Sequence, residues 1–301
     1  MSPQQADAAA RAAFVRACTL DVMVRKPGNV SVASAGHGMQ AQQFIDSAQA
    51  ASQPLCEPGA RVGARIEGAV RASWAAAGCN TNLGIVLLCA PLVAAFEQVA
   101  TGQAGSLLAA LAHTLQALDA QDAAAAFRAI AHANPGGLGE APQQDVREAP
   151  TIGLREAMAL AAHRDQIARQ YEQGFADLRR IGLAAVPTTF SLMADAGNAD
   201  VGAAVQSVYL AWLAAVPDSH IVRKHGEAVA HSVMSAAQGW QRSAAAQAGR
   251  LDADPAFIAW DERLKSRRIN PGTTADLTVA TLLLHGLQLL LQPPAAAWHG
   301  T

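Results

Sequence analysis

The chain of 301 residues has no excess of either charge: 22 Lys and Arg stand against 24 Asp and Glu, a formal charge of −2. Without a basic field it has no electrostatic grip on a phosphate backbone, and no nucleic-acid partner is expected. It also lacks a cysteine framework. Cys18, Cys56, Cys79 and Cys89 make no CxxC pair, and Met1 to Gln5 carry neither the basic stretch nor the apolar run of a secretory signal. These absences point to a reducing cytoplasm and away from disulfides or a zinc knuckle. Apolar runs fall short of a bilayer span, which needs roughly 20 residues. The longest, Leu83 to Phe96, stops at Glu97, and Leu277 to Leu291 carries His285 and Gln288. Both read as buried helices, so no membrane segment is expected. Strand signals are scarce: there are 2 tyrosines, and no Asn-Gly or Asp-Gly turn joins alternating runs. A P-loop, HExxH, GxSxG and a GxGxxG in a βαβ setting are all missing, which disfavours nucleotide folds built on parallel sheets.

What is abundant is alanine, about a quarter of the chain, within a composition 51% hydrophobic and 15% charged. The best helix former at that density predicts an all-α fold, a single compact multi-helix domain over residues 1–292 with roughly ten or more helices. A C-terminal tail, 293–301, has little to hold it. Helices are expected from Gln5 to Arg25, Ala41 to Ser52, Arg61 to Ala77, Leu83 onward, Gly105 to Leu118 and Asp122 to Asn134. After a Pro/Gly-rich loop from Pro135 to Pro150 they resume at Leu154 to His163, Asp165 to Ile181, Ala199 to Ala215, Lys224 to Ala248, Pro255 to Arg267 and Thr274 to Leu291. No fixed-period repeat emerges, which disfavours a solenoid. Alanine-rich helices with apolar faces are compatible with a homodimer, although periodicity does not separate such a face from core.

Against this background four polar runs stand out, all at helix ends or in loops, where a helical scaffold can present side chains to one pocket. RKPGNVSVASAGHGM, Arg25 to Met39, joins a cationic pair to a Pro-Gly turn, small hydrogen-bonding residues and His37. It suits a phosphate or a sugar, or it is a solvated loop. In GCNTNLG, Gly78 to Gly84, Asn80, Thr81 and Asn82 precede an apolar helix, where they cap it or place amides and a helix dipole beside an anion. PDSHIVRKHG, Pro217 to Gly226, is the densest ionisable cluster. Asp218 with His220 can do acid/base work and Arg223 and Lys224 can hold phosphates, while Asp218 is also a natural N-cap. In NPGTTADL, Asn270 to Leu277, Asp276 sits in a first helical turn, where dipole stabilisation accounts for it by itself.

Together and in this order the four runs resemble the triphosphoribosyl-dephospho-coenzyme A synthase family. A KPGLVD-type turn is matched by KPGNV at Lys26 to Val30, and a G-H-x-D-M segment by GHGM at Gly36 to Met39. An F-x-x-S-A helix is matched by Phe44, Ser47 and Ala48, GVNTHKG by GCNTNLG, D-[ST]-x-x-x-R-x-x-G by DSHIVRKHG, and PGGSADL by PGTTADL. The resemblance implies an all-α enzyme that transfers the triphosphoribosyl group of ATP to a hydroxyl of 3′-dephospho-coenzyme A and releases adenine. Such chemistry passes through an oxocarbenium-like centre with a triphosphate to neutralise. The resemblance implies Mg²⁺ and no organic cofactor. It assigns Lys26, Gly28, Asn29, Asn80, Thr81, Asn82, Arg223 and Lys224 to substrate and phosphate, and Asp218, Asp276, His37 and His220 to proton transfer. Glu67, with Asp218 and Asp276, is its candidate metal set.

Among the chain's departures from the family pattern, four remove an ionisable group. Asn82 and Leu83 stand where the pattern has His and Lys, Ser31 replaces the acid after the KPG turn, and Gly38 replaces the acid before Met39. The NTNLG form resembles a branch found in archaea and methylotrophic bacteria, where a pterin-pathway acceptor in tetrahydromethanopterin synthesis is the alternative expectation. A non-catalytic, nucleotide-binding helical module is the other.

Overall fold

The computed structural model describes residues 1–134, 148–195, 198–246 and 251–292. The chain starts in α1 (Pro3–Met23), where Ser2 and Gln5 form a reciprocal capping box and Pro3 occupies the first turn. There follow α2 (Ala41–Leu55), α3 (Val62–Ala77), α4 (Leu83–Ala100), α5 (Leu107–Gln116), α6 (Ala120–Ala133), α7 (Leu154–Ala161) and α8 (Gln166–Glu172). The second half holds α9 (Ala199–Ala215), α10 (Ser219–His225), α11 (Glu227–Ala246), α12 (Pro255–Ser266) and α13 (Gly272–Leu290). Among the described residues extended pairing is limited to two isolated bridges, Ser31 with Ser34 and Gly36 with Met39. The all-α expectation therefore holds. Aspartates start many of the helices: Asp119, Asp165, Asp218 and Asp254 accept first-turn amides of α6, α8, α10 and α12. A cap of this kind contributes roughly 0.5–2 kcal/mol.

α4 is the axis of the larger core. Every residue from Leu83 to Phe96 is buried. The helix has the length and mean hydropathy, 2.0, to cross a membrane, but 83% of it is buried inside the molecule. It packs against α1, α3, α5 and α13. A second apolar cluster joins Tyr209, Leu210 and Leu213 of α9 to Ile221, Val233, Phe257, Trp260 and Leu264 on α10, α11 and α12. α9 and α13 supply side chains to both cores, through Val208 and Leu277 on one side and Tyr209 and Ala275 on the other. The seam between the cores runs along these two helices.

Two helix boundaries differ from expectation. The helix expected from Asp165 to Ile181 ends at Glu172, because Gly174 and Phe175 turn left-handed at φ 61° and 60°. The chain then continues as a π turn at Leu178–Gly182 and a 3₁₀ turn at Leu183–Ala185. The helix expected from Lys224 is two helices, split at Gly226 with φ 84°. Residues 247–248 of that expectation, 135–147 of the Pro/Gly-rich loop and the 293–301 tail lie outside the described residues.

Candidate active site at the start of α13

The four polar runs, spread over 250 residues of sequence, meet at the first turns of α13. The KPG turn arrives first. Gly28 takes φ 80°, and a Cβ there would stand 2.8 Å from Pro271 Cδ and 2.9 Å from Ile269 O, so only glycine admits the approach. Gly28 N donates to Asp261 Oδ1 at 2.8 Å, and Asn29 Nδ2 donates to Asn270 Oδ1 at 3.1 Å. The third run is tied to the same turn: Thr274 donates through N and Oγ1 to Asp218 Oδ2 at 2.7 and 2.8 Å, and Ser219 Oγ donates to Thr273 Oγ1 at 3.1 Å. The second run meets it without a hydrogen bond. A Cβ on Gly84 would overlap Asp276 Oδ2 and stand 2.6 Å from Ile167 Cδ1, so the glycine ending GCNTNLG is what lets the carboxyl lie across the start of α4.

Asp276 and Asp218 therefore differ in kind. Both Asp218 oxygens are taken, Oδ1 by Ile221 N and Oδ2 by Thr274. Burial raises its pKa and those hydrogen bonds pull it back. It fastens α10 to α13. Asp276 is half-buried and receives no hydrogen bond or ion pair from any described residue. Burial first, then the nearby carboxylates of Asp21, Asp218 and Asp165, push its pKa well above the usual carboxylate range, with Arg223 opposing. The shift favours the protonated carboxyl, which lies against the start of α4 at Gly84.

The cations sort the same way. Lys26 has no solvent exposure. Its Nζ donates to Asn29 Oδ1 at 3.0 Å and to Asp21 O, lies 3.1 Å from Asp21 Oδ1, and sits 5.7 Å from the centre of the Tyr209 ring. The expectation that Lys26 meets a phosphate is thereby corrected: it is an internal brace for the KPG turn. Arg223 is partly open, 3.3 Å from Asp165 Oδ2 and 3.5 Å from His220 Nδ1, and Lys224 is exposed. Burial and then Arg223 and Lys224 drive the His220 pKa down to about 3, so its ring is neutral at physiological pH. His37 is likewise lowered, first by burial, and its Nε2 lies 2.7 Å from Gly28 O. A carbonyl only accepts, so Nε2 carries the proton and His37 clamps the turn.

In the second run, Asn80 Oδ1 accepts from Leu83 N at 3.2 Å, while Thr81 Oγ1 donates to Ser47 Oγ at 2.7 Å. Asn82 is 5% exposed, and its Nδ2 has no partner. That orphan has company. The buried polar atoms without a hydrogen bond are Asp21 Oδ1, Ser31 Oγ, Asn82 Nδ2, Gln166 Oε1, Gln206 Oε1 and Arg223 Nε. Asn82, Gln166 and Arg223 open or line the segments that converge on Asp276. An unmet buried polar group costs about 1–3 kcal/mol, so three of them around Asp276 leave bonding capacity that a ligand or ordered water can take up.

Sequence reasoning missed Asp165, Gln166, Asp261 and Lys265. Asp261 is fully buried and binds Gly28 N, Arg25 at 2.6 Å and Lys265 at 2.9 Å, while Lys265 also holds Ser34 O at 3.0 Å. These bonds pin the loop of the first run onto α12. From the sequence Asp165 reads only as the first residue of an expected helix, and the structure makes it the cap of α8.

The proposed metal set does not assemble. Glu67, on α3, is bound by Arg128 of α6 at 2.6 Å and by Arg71 at 3.0 Å, and Asp218 is consumed as described. Among the described residues no group of three or more His, Cys, Asp or Glu is placed to hold a metal ion. Glu67 is therefore corrected to a surface ion-pair residue, and these side chains do not fit a resident Mg²⁺.

Residues 7–294 match the family described as ATP:dephospho-CoA triphosphoribosyl transferase (CitG). No curated protein sequence matches the chain. Among solved structures, a protein from Archaeoglobus fulgidus with the provisional name triphosphoribosyl-dephospho-coA synthase superposes with a TM-score of 0.61 at 22% identity, covering 81% of this chain and 99% of that one. At that identity the likeness speaks for the fold. The family match takes in all four polar runs and the helices that bring them together, so the chain belongs to the ATP:dephospho-CoA triphosphoribosyl transferase family and is a transferase of that kind.

Proposed function

We propose that the transfer of the triphosphoribosyl group of ATP to 3′-dephospho-CoA, with release of adenine, takes place at the start of α13 with Asp276 as the proton donor. The observation that carries this reading is the unpartnered carboxyl of Asp276 where all four polar runs meet, its pKa raised by burial and neighbouring carboxylates. As the glycosidic bond breaks, its electrons pass to the adenine nitrogen, and a proton from Asp276 keeps the base from recapturing the sugar. Arg223 and Lys224 face the triphosphate, and Asn80 and Asn82 face ribose or phosphate oxygens, with Asn82 Nδ2 and Arg223 Nε gaining the partners they lack. The acceptor hydroxyl loses its proton as its oxygen bonds to the sugar carbon. Neutral His220 relays that proton toward solvent. Mg²⁺ enters as part of the substrate, on the triphosphate, which needs few protein ligands.

The partners in this reading are small molecules, and four free cysteines suit a cytoplasmic setting. A pterin-pathway acceptor is the second reading, favoured by the absence of a cation at Leu83 and of carboxylates at Ser31 and Gly38. The deciding experiment incubates the purified chain with ATP and Mg²⁺, with and without 3′-dephospho-CoA, and follows free adenine by chromatography. Adenine formed only with the acceptor supports the first reading. Its absence from both samples overturns that reading and leaves the pterin-pathway acceptor or a binding role.

A further inference from the structure

A concavity of about 580 Å³ lies between α11 and α12 and is lined by none of the site residues assigned above. Its floor is apolar, with Val229, Trp260, Leu264 and Ile269, and its rim carries Arg263, Arg267 and His225 with no carboxylate. Neither guanidinium has an ion-pair partner among the described residues. An apolar trough under two unpaired cations fits a long uncharged chain that ends in an anion.

The groove adjoins the active site through two short segments. Arg223 stands at the site while His225, at the end of the same helix, lines the groove. Asn270 meets Asn29 at the site while its neighbour Ile269 lines the groove. Leu264 and Ile269 also back directly onto Gly28. We propose that this groove is the acceptor subsite: it holds the diphosphate of 3′-dephospho-CoA against Arg263 and Arg267 and its uncharged, thiol-ended arm along the apolar floor, while the reacting hydroxyl lies toward Asp276. This proposal rests on the reading above. ATP has no such arm, so the groove distinguishes acceptor from donor.

The test is calorimetric titration of the full chain with 3′-dephospho-CoA and, separately, with ATP, for the wild type and for R263A/R267A. Both arginines are exposed, so the variant keeps the fold, which circular dichroism checks. The expected result is an affinity for 3′-dephospho-CoA weaker by about tenfold or more, with ATP affinity unchanged within about twofold. A second variant, S232W, fills the groove without touching charge and lowers acceptor affinity in the same selective way. Unaltered acceptor affinity in both variants overturns the subsite while leaving the transferase reading intact. A wild type that binds ATP but not 3′-dephospho-CoA overturns the acceptor itself, and the subsite with it.

Discussion

Around α3 a buried carboxylate and a buried guanidinium find every partner they need, whereas at the start of α13 polar groups are left open. Asp122, 3% exposed, accepts from Gly63 N at 2.8 Å, Arg61 at 2.7 Å and Asp119 N at 3.3 Å. Arg65, 1% exposed, donates to Ala60 O, Leu55 O and Glu97. None of the orphaned buried atoms lies on α3 or α6. At the α13 end, Asp276 has no partner and Asn82, Gln166 and Arg223 each keep one atom unmet. The same chemistry serves stability in one region and is held in reserve in the other, and a reserve of this kind is what a ligand consumes.

The comparison breaks most severely at Asp276. D276N is expected to lower adenine release by about 100-fold or more, the lower end for a positioned acid, with helical circular dichroism unchanged. Unaltered turnover would remove Asp276 from the chemistry. G84A is next. Its methyl displaces the carboxyl and Ile167, and a shift of that kind costs roughly tenfold to 100-fold in turnover, again read by adenine release. In the satisfied region the outcome reverses: D122A leaves Gly63 N without its partner and lowers stability by about 2 kcal/mol in urea melts, while turnover per folded molecule stays at the wild-type level.

The pH dependence sharpens the contrast. Because the folded-state pKa of Asp276 is raised, its contribution to stability is fully present below the unfolded pKa and is lost as pH rises through the folded value. D276N should therefore gain stability over the wild type as pH rises, with the difference vanishing in acid. Turnover of the wild type should fall along the same alkaline limb. The smallest effect belongs to Glu67. E67Q touches only half-screened pairs with Arg71 and Arg128, so it should change stability by less than about 1 kcal/mol and leave the Mg²⁺ dependence of turnover where it was.

Much of the scaffold was legible in the chain. Alanine density, the capping residues and the Gly-Pro punctuation locate most helices within a turn, since these signals act locally. The two boundary errors came from positive-φ turns at Phe175 and Gly226, one of them at a residue that carries no warning in its type. The site was legible as four polar runs but not as a geometry. From the sequence Asp276 reads as a dipole-stabilised first-turn acid, but α13 begins at Gly272 and carries no acid in its first turn; Asp276 lies one turn further in, without the capping bonds that occupy Asp218. Lys26 reads from the sequence as a phosphate-binding cation, but its surroundings are set by Asp21, Asn29 and Tyr209, the last of them far away in sequence. Asp261 and Lys265 carried no signal, because their partners in the first run lie more than 200 residues away.

The measurement that tests the central claim most directly is a crystal structure of the chain with a non-hydrolysable ATP analogue and Mg²⁺. The account predicts the glycosidic bond beside the Asp276 carboxyl, phosphate oxygens on Arg223, and Asn82 Nδ2 hydrogen-bonded to the nucleotide. A nucleotide bound elsewhere, with Asn82 Nδ2 and Arg223 Nε still unpartnered, would contradict it.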